Sequence, residues 1–150
     1  MTEAELFRTL LIEGAIGGIV LSLLAFLLSR FVSDVAGRAL LATVLFAAAG
    51  AYFGLAFEEG RYEIWVPIEL LQSIVFGTLG LYGWRGSAKW LALGYALHPF
   101  WDFPLHYLGP GRSYAPATYA IFCISFDWIA AAYILIYYRG SNRLTQSPQR

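Results

Sequence analysis

The sequence predicts an all-α membrane protein, with five transmembrane helices in a single bundle, the N-terminus outside and the C-terminus cytoplasmic. Three observations predict it. Of 150 residues, 59% are hydrophobic and 13% are charged, against about 25% charge in an ordinary soluble domain. Uncharged runs such as 39–57 approach the roughly 20 residues that cross a bilayer. Lysine and arginine are unevenly shared between the connecting segments, which orients such a bundle.

The spans fall near 6–28, 35–57, 64–84, 88–108 and 115–138, each an apolar run bounded by charged or turn-forming residues. The first follows an acidic start (Glu3, Glu5) without a cleavage site, and reads as a retained helix. It carries a Gly14/Gly18 pair, and the second carries Gly50/Gly54. Pairs at this spacing allow helices to approach closely, which matters where lipid gives no hydrophobic drive between them. The expected division is a transmembrane domain over 1–138 and a polar, flexible cytoplasmic tail over 139–150. Arg8, Arg61 and Arg112 fall on one side. Arg30, Arg38, Arg85, Lys89, Arg139, Arg143 and Arg150 fall on the other, which is therefore read as cytoplasmic. A multi-pass protein of the cell (inner or plasma) membrane follows, with membrane lipids around it and the oligomeric state open.

Zero net charge and the lack of a basic block argue against a nucleic-acid partner, and a single cysteine excludes an internal disulfide. Trp65, Trp84 and Trp90 fall near the predicted interfaces, as an aromatic belt would.

The fourth segment departs from this plain pattern. Over 95–108 it reads Y-A-L-H-P-F-W-D-F-P-L-H-Y-L. His98, Asp102 and His106 follow at intervals of four, so an unbroken helix would align them on one stripe. Pro99 and Pro104 predict kinks there. Other spans add Glu13, Glu69 and Asp127, and an ionisable side chain at a helix centre costs roughly 2.5–3.5 kcal/mol or more. At about 1.5 Å rise per residue, Glu13, Glu69 and Asp102 lie roughly 8–10 Å below the outer end of their helices. His98 and Asp127 reach about 15–18 Å, and His106 only about 3 Å. A polar pocket in the outer half of the bundle is the expectation, with Glu58, Glu59 and Glu63 around its mouth.

Imidazole and carboxylate together suit zinc, iron or manganese. The expected ligands are His98, Asp102 and Glu69, with Glu13 next. His98 and His106 stand about 12 Å apart along an ideal helix, too far to share one ion. Asp102, Glu69 and Asp127 are the candidate catalytic groups, Asp127 orienting His98 or accepting a proton. Trp101, Trp128, Glu13, His106 and Glu63 are the candidate substrate-pocket residues. Cys123, one helical turn before Asp127, reads as packing. The leading expectation is a divalent-metal enzyme acting on a small apolar or lipid-like substrate.

Two alternatives stay open. A neutral carboxylic acid at Glu69 or Asp102 could protonate an isoprenoid-type lipid without a metal. Pro67-Ile68-Glu69-Leu70 resembles the P-x-E-E pattern of the small membrane lycopene cyclases, with Leu70 in place of the second acid. The acidic groups could instead serve a proton- or cation-coupled carrier. The stretch from His98 to His106, centred on Trp101-Asp102, is similar to small bacterial integral membrane proteins of unknown function, a resemblance that implies no activity.

Overall fold

A computed structural model describes residues 2–139. From 140 onward, the expected polar tail lies outside the described residues. Five α-helices follow one another: α1 (Glu3–Phe31), α2 (Asp34–Glu58), α3 (Trp65–Arg85), α4 (Lys89–Asp102) and α5 (Ala117–Tyr137). Between α4 and α5 come a π-helical turn, Phe103–Leu108, and a 3₁₀ turn, Pro110–Ser113. Four of the helices, α1, α2, α3 and α5, are long and apolar enough to cross a membrane. α4 is shorter, and the π turn continues it to residue 108.

Local chemistry sets the ends. Thr2 and Glu5 form a reciprocal cap: the Thr2 amide donates to Glu5 Oε2 at 2.7 Å, and the Glu5 amide donates to Thr2 Oγ1 at 3.2 Å. Ser33 caps α2 by accepting from the Ala36 amide at 3.1 Å. After α2 the chain reverses through Gly60 at φ +69°, a conformation that favours glycine.

α1 lies along α5 and α2 along α3, while α4 packs between α5 and α3. Leu41, Leu45, Leu91, Tyr95 and Ile134 fill the shared core. Ile16, Ile19, Phe46, Leu71, Ile74 and Ile136 point outward, as residues facing hydrocarbon would.

The two glycine pairs behave differently. A Cβ on Gly18 would lie 2.7 Å from the Phe126 carbonyl oxygen, and one on Gly14 would press on the Phe122 carbonyl. This pair lets α1 and α5 touch backbone to backbone. A Cβ on Gly50 or Gly54 would meet nothing within 4 Å among the described residues, so the close contact expected of this pair is absent there. The α2–α3 contact runs through Ala49 instead, whose carbonyl accepts from Gln72 Nε2 and Ser73 Oγ at 3.1 Å each. Gly18→Leu is therefore expected to destabilise the protein by about 1–3 kcal/mol through overpacking. Gly50→Leu should stay within about 0.5 kcal/mol of wild type. Thermal unfolding of both variants in the same detergent checks the contrast.

The expected double kink also takes a different form. Pro99 sits inside α4, which continues to Asp102. The departure comes at Pro104, within the first turn of the π segment. A residue without an amide hydrogen cannot complete the α-helical ladder, and here the turn widens instead. π turns of this kind occur mostly as single turns within helices.

Candidate metal centre

His98, Asp102 and Asp127 are completely buried. α4 presents His98 and Asp102 one turn apart, and α5 presents Cys123 and Asp127 one turn apart, so the two helices bring four potential ligands face to face. One ligand atom from each of His98, Asp102, Cys123 and Asp127 lies within 4.8 Å of all the others. Ligands held about 2.0–2.3 Å from a tetrahedral ion are separated by about 3.3–3.8 Å. Closing the four atoms onto one ion thus takes ångström-scale movement of side chains. This buried group could hold a metal.

His98 Nδ1 stands 2.9 Å from Asp127 Oδ2, at hydrogen-bond distance, and 3.4 Å from Asp102 Oδ2. Phe76 meets the imidazole edge-on, with ring centroids 4.9 Å apart. Several polar atoms here have no hydrogen-bond partner among the described residues: His98 Nε2, Asp127 Oδ1 and both oxygens of Asp102. Burying such an atom unpaired costs about 1–3 kcal/mol, and more when it is charged. A cation among them would satisfy several at once.

Glu69 and His106 form a second polar group. The π turn takes more residues per revolution than an α turn, so His106 leaves the stripe that an unbroken helix would have given it. It faces α3, with Nε2 3.5 Å from Glu69 Oε1. Tyr52 stacks flat on its ring, at 3.8 Å and 6°. Tyr114 donates to Glu69 Oε1 at 2.6 Å, while Gln72 Nε2 and Trp101 Nε1 approach Glu69 Oε2 at 3.4 Å. Burial, reinforced by the bond to Glu69, pushes the Tyr114 phenol well above its ordinary range. Tyr114 therefore keeps its proton and stays a donor at neutral pH. Tyr52 joins the two groups: it lies beside Asp102 and covers His106.

Several expected site residues stand elsewhere. Glu13 is exposed on α1 and takes no part in the buried cluster, because the face of α1 turned to the bundle is the one carrying Gly14 and Gly18. Glu63 is exposed in the α2–α3 connection. Trp128 is 49% exposed and packs near Phe100, with ring centroids 6.2 Å apart, on the outside of the bundle. Glu69 is buried but belongs to the His106 group, outside the set that converges within 4.8 Å. Trp101 is half-buried against it. His106 is fully buried, where an entrance residue was expected.

Cys123, Tyr52 and Tyr114 are the residues that sequence reasoning missed. Cys123 had a usable signal, its spacing of four from Asp127 on one helical face. Tyr52 and Tyr114 had none, since each enters through the packing of a helix or loop distant in sequence.

Fold and site together define a helical bundle with four helices long and apolar enough to cross a membrane and a buried histidine–carboxylate–thiol cluster. The chain belongs to the family of unknown function DUF6010, which it matches over residues 13–141. No curated protein and no solved structure matches it.

Proposed function

We propose that this protein is a five-span protein of the cell membrane, N-terminus outside, that holds one divalent metal ion and acts on a lipid-like substrate. The observation that carries this reading is the convergence of His98, Asp102, Cys123 and Asp127 within 4.8 Å, at full burial and with polar atoms left unpaired. A thiolate beside imidazole and carboxylate favours zinc or iron over manganese. His98, Asp102 and Cys123 are the ligands in this reading. Asp127 accepts from His98 Nδ1 and orients the ring, as carboxylates commonly do behind a ligating histidine. Three protein ligands leave a coordination position open, the arrangement of catalytic rather than structural zinc. Such an ion supplies Lewis acidity and lets water act as a nucleophile at neutral pH. Glu69, held by Tyr114 and Trp101, and His106 beside it would then serve as a proton-exchanging pair next to the ion.

Elemental analysis of the purified protein tests the reading. About one zinc or iron per chain is expected, as for a single-ion site. Glu69→Gln should keep that ion, since Glu69 stands outside the ligand set. A folded protein without metal, also after reconstitution with zinc and with ferrous iron, would overturn the proposal. Acid–base chemistry at Asp102 or Glu69 would then take its place.

A further inference from the structure

α1, α2 and α5 enclose an open groove of about 690 Å³ on the surface of the bundle, within the range of about 300–1,000 Å³ typical of small-molecule sites. Leu10, Leu55 and Phe122 give it an apolar lining, Gly54 opens it, and Glu58 stands at its end. Gly54 widens it because a side chain there would meet nothing within 4 Å. Tyr119 forms part of the wall and is half-buried. Its ring packs edge-on against Tyr52, with centroids 5.4 Å apart, and its side chain lies beside the Cys123 thiol. Tyr119 thus touches both the groove and the edge of the buried cluster.

We infer that this groove binds a single-chain amphiphile with an amine-bearing head, seated with the amine at Glu58, the chain over Gly54 and Leu55, and the head–chain junction against Tyr119. The inference rests on the metal-site reading and names its substrate class. Charge selects the occupant: Glu58 lines the groove end and Glu59 follows it, both exposed, so an amine is attracted there and a carboxylate or phosphate head repelled. Position selects the reacting part. Tyr119 lies one helical turn before Cys123, so a rotation of its side chain would expose the junction, rather than the chain end, to the cluster. Tyr119 is in this sense a gate, a positioning residue.

Native mass spectrometry of the full-length protein, with hexadecylamine, hexadecanol or hexadecanoic acid added to the detergent, tests this. Wild type should retain one hexadecylamine at occupancies about tenfold above those of the acid. Glu58→Gln should erase the preference for amine over alcohol. Gly54→Leu, which has room to fold, should lower amine retention about tenfold. Ala47→Leu adds comparable bulk at another exposed position of α2, outside the groove lining, and should change nothing. Equal retention of amine and acid by wild type, or undiminished retention by Gly54→Leu, overturns the inference. Metal content measured on the same samples separates the two proposals. Selective amine binding without metal would overturn the metal reading and leave the groove, whereas metal without amine selectivity would do the reverse.

Discussion

His98→Ala should empty the metal site while leaving the bundle folded. The imidazole is the one nitrogen donor among the four converging groups. Without it the ion would face two carboxylates and a thiolate in an apolar interior, with neither its geometry nor its charge balanced. Metal content is expected to fall from about one ion per chain to less than a tenth, because ligand loss removes affinity outright where loss of an orienting partner costs about 10–100-fold. The fold should survive. Among the described residues His98 makes no bond to backbone, and its ring is surrounded by Phe76, Tyr52 and α5, which can close part of the space. A large-to-small change in a core costs roughly 2–5 kcal/mol, and His98→Gln, which leaves a smaller void, keeps the experiment interpretable if the alanine variant unfolds. Elemental analysis and far-ultraviolet circular dichroism on the same preparations check both halves. His106→Ala is the matched control: it removes an equally buried imidazole 3.5 Å from Glu69 and should leave the metal in place. Loss of metal in the His106 variant with retention in the His98 variant would move the site to the Glu69 group.

The helices were legible because hydrophobic runs and their breaks report span position directly. Side-chain direction was much less so. Counting residues from the outer end of a helix gives depth, and that placed Glu13 level with Glu69 and Asp102. Depth carries no information about rotation, and on a helix apolar on all sides the buried face has no hydrophobic stripe to mark it. The glycines did mark it. Gly14 and Gly18 need to face α5, and Glu13, one residue before Gly14, is turned about 100° away from that contact. The same step separates exposed Trp128 from buried Asp127. Cys123 is the opposite case: its spacing of four from Asp127 is visible in the sequence, whereas its place beside His98 and Asp102 comes only from the packing of α4 on α5. His106 could not have been placed from sequence. Two prolines signal a departure from α-helix, but which proline widens the turn, and toward which neighbour the histidine then swings, depends on α3 and on Tyr52.

Asp127 separates a catalytic from a structural metal site, and its two simplest substitutions are expected to differ. If Asp127 orients His98, then Asp127→Asn retains most of the metal affinity. The amide oxygen can still accept from Nδ1 at the position where Oδ2 now stands, 2.9 Å away. Asp127→Ala removes that acceptor and should weaken binding about 10–100-fold, the usual cost of losing such a partner. Competition against a chelator of known affinity measures both variants on one scale. Were Asp127 instead a fourth ligand, asparagine would fail nearly as badly as alanine, because a neutral amide is a poor replacement for a carboxylate on zinc. A coordination shell closed by four protein groups would leave no position for substrate or water, and the ion would then serve to clamp α4 to α5. That clamp has its own signature, since removing the metal would lower the unfolding temperature sharply. The orienting role predicts a smaller shift, because Cys123 is then the ion's one ligand on α5, and the His98–Asp127 hydrogen bond holds the two helices together with or without the ion. The bond survives in Asp127→Asn, so metal removal from that variant should also produce the smaller shift.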